Sequence, residues 1–163
     1  MRNLTLLLVV IGLCGCATEK SVIRVENGHK IEISGAQEKH DLFVGKWYEK
    51  EKTDAGGVQE SISEHFPDGT TRVEFRVTEK GGSTRQTEYG VWGVSGNFYF
   101  TMTQGFIEGD GQMEPADTSD ASLYDVYEIL DLSENSMTYK NVETGNIFTA
   151  KRVAKDFEMP VTL

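Results

Sequence analysis

Beyond residue 16 this 163-residue chain contains no cysteine. Without thiols to pair, the body of the protein must be held together by packing, and thiol catalysis and cysteine-based metal sites are excluded from it. Histidine is nearly as scarce. His29, His40 and His65 lie far apart, without the spacing of a metal pair, so neither a metal nor a cofactor is expected. Positive charge is short as well, with 16 Lys and Arg against 26 Asp and Glu. So acidic a surface repels phosphate backbones, which argues against a nucleic-acid partner. No glycine-rich phosphate loop opens a helix, and helical periodicity is missing over any useful length. Long apolar runs are absent too. The one candidate, Leu4 to Leu13, is too short for a helix to cross about 30 Å of hydrocarbon, which takes about 20 residues.

That short run is nevertheless informative. Arg2 precedes it, Leu13-Cys14-Gly15-Cys16 closes it, and Thr18-Glu19-Lys20 turns abruptly polar. This is the order of a secretory signal. Its ending resembles the lipobox of bacterial lipoproteins, in which the cysteine becomes the lipid-modified first residue of the mature protein. Leu13 suits that pattern, whereas Cys14 stands where alanine, serine or threonine is usual. The resemblance implies removal of residues 1–15 and attachment of fatty acyl chains such as palmitate at Cys16. With Ala17 rather than aspartate next, it also implies transfer to the outer membrane. Two or more acyl chains anchor a protein stably. The membrane is thus an expected partner, and the domain is expected in the periplasm or at the cell surface. The mature part carries fifteen basic and twenty-six acidic residues, a formal charge of −11.

From Phe43 onward the chain reads as short alternating runs broken by turn residues. Thr70 to Thr78 is the cleanest: Val73, Phe75 and Val77 face one way, Arg72, Glu74 and Arg76 the other, the period of a half-buried strand. Similar runs cover 44–51, 58–66, 84–94, 97–103, 123–132, 137–142 and 147–153. The breaks carry turn chemistry, as in Pro67-Asp68-Gly69 and Thr144-Gly145-Asn146. Eight strands joined by tight turns predict an all-β fold, a small antiparallel up-and-down barrel. Closure removes exposed edges and leaves an interior filled by side chains or holding one small ligand. A two-sheet sandwich is the alternative.

Ahead of the barrel, Asn27-Gly28 between two alternating runs predicts a β-hairpin. A lone hairpin is marginal in water, so it is expected to dock. Residues 35–40 read as a polar connector. The organisation is therefore a signal over 1–15, a lipidated N-terminus with hairpin and connector over 16–40, a barrel over 41–153 and a tail over 154–163. Gln104 to Ser122 is the one long irregular stretch. Loops of that length are functional or disordered. Its acids lack calcium-loop spacing and read as a solvated acidic loop.

Gly45-Lys46-Trp47 at the head of the first long strand is similar to the G-x-W signature of lipocalins and lipocalin-like domains. Lys151-Arg152 sits where those barrels place a basic residue over the tryptophan. Gly90-Val91-Trp92-Gly93-Val94 followed by Gly96-Asn97 also resembles bacterial lipocalin-like domains. The likeness covers Asp41 to Val153. It implies that Gly45 allows close packing, that Trp47 plugs one barrel end, and that a guanidinium lies across the indole. Arg152 is chosen over Lys151 because it shares a face with Phe148 and Ala150. The chain lacks the T-D-Y-type second signature and the disulfide of full lipocalins.

No enzyme constellation stands out. Ser61, Ser63 and His65 share a strand face, but a triad needs a fixed base–nucleophile contact and an orienting acid. Polar residues on a barrel's outer face account for the trio more simply. Asp125 and Glu128 are unremarkable as a carboxylate pair in so acidic a chain. The chain reads as a non-enzymatic, membrane-tethered protein binding a small hydrophobic ligand, with Phe75, Phe98, Phe100, Met102, Tyr127 and Tyr139 as the ligand-binding candidates. The alternative is a ligand-free envelope domain recognising a protein partner.

Overall fold

The computed structural model describes residues 22–26, 29–33, 35–109 and 111–160. Strands β1 (Val22–Glu26) and β2 (His29–Ile33) pair antiparallel as a separate two-stranded sheet. Glu26 lies opposite His29, the register of the expected hairpin. Helix α1 (Gly35–Phe43) replaces the expected polar connector. Its one apolar pair, Leu42-Phe43, falls at the C-terminal end, so the segment has no periodic stripe to read.

Then follow β3 (Gly45–Lys52), β4 (Val58–His65), β5 (Thr70–Glu79), β6 (Gly82–Ser95) and β7 (Phe98–Glu108). A two-residue strand β8 (Glu114–Pro115) and a 3₁₀ turn (Ala121–Leu123) punctuate the acidic loop. Strands β9 (Tyr124–Leu132), β10 (Ser136–Asn141) and β11 (Ile147–Val153) complete the chain.

Each long strand pairs antiparallel with its successor, and β11 returns to β3 through Arg152 opposite Trp47. With β6 paired to both β5 and β7, the eight strands β3-β4-β5-β6-β7-β9-β10-β11 form a closed barrel. Strand β8 lies against β7 beyond the end of β9. The register shifts once between Tyr89 and Gly90 at the β6–β7 seam. There the backbones approach so closely that a Cβ on Gly90 would meet the Met102 carbonyl oxygen at 2.1 Å. Gly90→Ala is therefore expected to cost about 1–3 kcal/mol through overpacking. Gly81→Ala, in a turn with open space around it, should change chemical-denaturation stability by under about 0.5 kcal/mol. Equal effects at the two positions would refute the tight seam.

The outer wall is not uniformly solvated. Glu60 accepts hydrogen bonds from Tyr48 (2.5 Å) and the Arg76 Nε (3.2 Å), and Lys50 stands 3.6 Å away. Burial raises the Glu60 pKa, but these donors and charges outweigh it and hold the carboxyl below its usual range. The tail folds back here. Phe157 packs on Tyr48 at 5.2 Å between ring centroids, and its carbonyl accepts from Lys46 Nζ at 2.7 Å.

Candidate functional site

The two ends of the barrel differ. At one end α1 lays Phe43, fully buried, into the core formed by Trp47, Trp92, Tyr99, Ile129, Met137 and Ala150. Phe43 stacks on Tyr99 at 4.8 Å and on Trp92 at 5.9 Å. The Trp47 indole donates to the Phe43 carbonyl at 2.8 Å. Arg152 lies 4.1 Å above that indole and donates to the carbonyls of Val44 (2.7 Å), Leu42 and Glu134. One guanidinium thus ties the end of α1, the entry to β3 and the β9–β10 turn together. Gly45 makes room for it: φ is +127°, and a Cβ there would sit 2.4 Å from the Arg152 Nη1. Lys151 is exposed, on the other face.

His65 belongs to this plug. It is 1% exposed, and its Nε2 is 2.9 Å from the Tyr99 hydroxyl. Burial, with the nearby Arg152 charge adding to it, pushes the imidazole down to about 3, so the ring is neutral at physiological pH. The expectation that Ser61, Ser63 and His65 face outward is overturned. All three share the phase of Trp47 and Glu49 across the β3–β4 pairing and point inward.

The opposite half of the interior is less completely filled. A cavity of about 170 Å³ is lined by Phe75, Tyr99, Tyr127, Tyr139 and Phe148, by Ser61, Ser63, Thr71, Thr101 and Thr103, and by three carboxylates, Glu49, Glu88 and Asp125. Its rings touch one another: Tyr127 meets Tyr99 at 5.3 Å and Tyr139 at 5.1 Å, and Tyr139 stacks on Phe148 at 5.5 Å. A shallower depression of about 470 Å³ adjoins the cavity at Phe75, between β5, β6 and the end of β7.

Each carboxylate has a neutral donor. Tyr139 donates to Glu49 at 2.8 Å, Thr103 to Glu88 at 2.9 Å, and Asn141 to Asp125 at 2.9 Å. Burial raises Glu49 to about 7, with Tyr139 opposing the rise and Glu51 adding to it. Burial likewise raises Glu88, with Thr103 opposing and Asp125 adding. The Tyr99 and Tyr139 hydroxyls are held well above their ordinary range, by burial first.

Of the six residues expected to meet a ligand, Phe75, Tyr127 and Tyr139 line the cavity, and Met102 borders it beside the seam. Phe98 and Phe100 do not, being 49% and 42% exposed on the outer wall. The phase of β7 is the reverse of the expected one: Tyr99 and Thr101 point inward. Phe100 instead covers Gly93, its cross-strand partner, where a Cβ would meet the ring at 2.5 Å. Asp125 faces the cavity, whereas Glu128 pairs outside with Lys140 at 2.6 Å. The carboxylates were the unanticipated part of the site. Their signal was phase alone, since Glu49 lies two residues from Trp47, Asp125 two from Tyr127 and Glu88 four from Trp92. Cys16 falls outside the described residues.

No family model matches this chain, and no curated protein matches it. Among solved structures it is similar to a lipocalin-like protein from Bacteroides uniformis ATCC 8492, with 16% sequence identity and a TM-score of 0.41. The match covers 69% of this chain and 99% of the other.

Proposed function

We propose that this chain is a lipid-tethered protein of the bacterial cell envelope whose lipocalin-like barrel holds a small ligand in the unplugged half of its interior. The observation that carries the reading is the asymmetry of the core. Side chains fill one end, while about 170 Å³ remains at the other, ringed by aromatic residues that include Phe75, Tyr99, Tyr127, Tyr139 and Phe148. A packed protein core leaves few voids larger than a water molecule, so a space of this size at a barrel mouth is what a bound molecule would occupy. Pockets of this kind combine an apolar body contact with a few polar anchors. Here Phe75, Tyr127, Tyr139 and Phe148 support contact with an apolar portion of the ligand, and the carboxylates call for a polar one. The role is binding rather than catalysis, and the tether is the acylated Cys16.

Native mass spectrometry of protein purified from its source membrane tests both parts. The expected spectrum shows the mass of the chain from Cys16 with its acyl groups, plus a bound species of small-molecule size. A lipid-free chain overturns the tether. Apo mass alone, under conditions that preserve non-covalent complexes, counts against the ligand.

A second reading, recognition of a protein partner, is favoured by the outer wall. Phe98, Phe100, Tyr124, Val126 and Leu130 are exposed on the neighbouring strands β7 and β9, and apolar patches of this kind mark interaction surfaces. Crosslinking in intact cells that is lost in Phe100→Ser/Val126→Ser would support it.

A further inference from the structure

The cavity lacks a positive charge. Its lining holds three carboxylates and no lysine, arginine or histidine. Among the described residues none of the three carboxylates forms an ion pair. Glu49 is 9% exposed, and among the described residues its Oε2 accepts from the Tyr139 hydroxyl alone. Buried charges in proteins are paired or coordinate cations, and among the described residues no basic side chain lines this cavity to supply the counter-charge.

The positions of the carboxylates specify what could supply it. Glu49 is on β3, Glu88 on β6 and Asp125 on β9, two or three strands apart around the barrel. They surround the space instead of converging. Among the described residues no three acidic or histidine side chains approach as metal ligands would. A bare metal ion does not suit this arrangement, whereas a molecule several atoms long does. The walls between the carboxylates are rich in aromatic rings, whose quadrupoles attract organic ammonium groups. The mouth adds to the bias: its loops and strand ends carry Glu79, Glu108, Glu114, Asp117, Asp120 and Glu143 against Lys52, Lys80 and Arg85. An acidic rim concentrates cations.

We propose that the cavity takes a small organic cation, an amine of about six to nine non-hydrogen atoms, an apolar cavity of about 150 Å³ being known to admit benzene. Its ammonium lies in the summed negative field of Glu49, Glu88 and Asp125 without bridging all three, and its carbon body lies against Tyr99, Tyr127 and Tyr139. This rests on the cavity being the ligand site and names the chemistry of the ligand.

The test uses three probes of one shape: benzylamine, benzyl alcohol and benzoate. Binding to the full chain in detergent at pH 8 is followed by titration calorimetry. Benzylamine is expected to bind at least tenfold more tightly than benzyl alcohol, and benzoate not at all. Glu49→Gln and Glu88→Gln should each weaken benzylamine about tenfold and leave benzyl alcohol unchanged. Both variants retain a side-chain acceptor, so folding is checked by their circular dichroism. If the alcohol binds as well as the amine, the cation inference falls and the small-ligand reading stands. If none of the three binds, both fall.

Discussion

Trp47→Ala is expected to destabilise the barrel by about 3–5 kcal/mol, the range for removing a large aromatic side chain from a core. Trp47 is 1% exposed and stands between the buried core at the plugged end and the Arg152 guanidinium. Its removal takes out apolar volume, the hydrogen bond to the Phe43 carbonyl and the ring beneath Arg152. The last two losses add about 1 kcal/mol each, though effects in contact with one another do not sum cleanly. A domain is stable by only about 5–15 kcal/mol in total, so the variant should unfold at a markedly lower urea concentration. Trp47→Phe keeps most of the volume and loses the indole donor, and a loss of about 1–2 kcal/mol is expected. The check is equilibrium urea unfolding followed by far-ultraviolet circular dichroism. A Trp47→Ala protein within about 1 kcal/mol of the parent would show that the indole does not hold this end closed.

Glu49→Gln is expected to do the opposite at neutral and alkaline pH. The folded state raises the Glu49 carboxyl to about 7 from an ordinary value of 4.5, so the native protein binds this proton more tightly than the unfolded chain. The resulting stability is fully present below about pH 4.5 and is lost as pH rises to about 7. Each tenfold difference in proton affinity between the two states is worth about 1.4 kcal/mol, so the loss amounts to about 3 kcal/mol above that window. Glutamine still offers Tyr139 an oxygen and does not titrate. Other ionisable side chains adjoin Glu49 or line the same space: Glu51 on its own strand, Glu88 on β6, Asp125 and Tyr127 on β9, Tyr139 on β10 and Tyr99 on β7. They are common to both proteins, so the difference between the two stability–pH curves isolates residue 49. That difference should be near zero at pH 4 and grow to about 3 kcal/mol by pH 8, the variant being the more stable. A flat difference would show that the carboxyl is solvated in the native state.

The strand plan was legible because its punctuation is local. Turn residues such as Pro67-Asp68-Gly69 and Thr144-Gly145-Asn146 act through backbone geometry that short sequence dictates, and seven of the eight strands begin and end within about two residues of where those signals put them, whereas β7 runs on to Glu108, into the stretch expected to be irregular from Gln104. Which way each strand faces was harder. In β7 one alternating set, Phe98, Phe100 and Met102, is apolar, while the other, Tyr99, Thr101 and Thr103, carries hydroxyls. Hydrophobicity alone chose the wrong set, and the decision lies in long-range packing of Tyr99 against Phe43 and His65. In β4 the inward set is Ser61, Ser63 and His65, which composition places outside. They are tolerated inside because one end of the barrel is a polar cavity and because His65 finds the Tyr99 hydroxyl. Helix α1 was invisible because its helical register is justified only by Phe43 reaching a core assembled from distant strands.

Closure of the barrel has a consequence for how copies of the protein could meet. A strand edge invites another backbone to pair with it, yet around the ring every long strand has a neighbour on both sides. Among the described residues, unsatisfied flanks remain on the hairpin β1–β2 and on the two-residue β8. Crowded side by side on a surface, such molecules would slide past one another without zippering into fibres, and backbone-to-backbone docking would begin at those flanks, the longer of which, β1–β2, lies on the stretch of chain between Cys16 and the barrel.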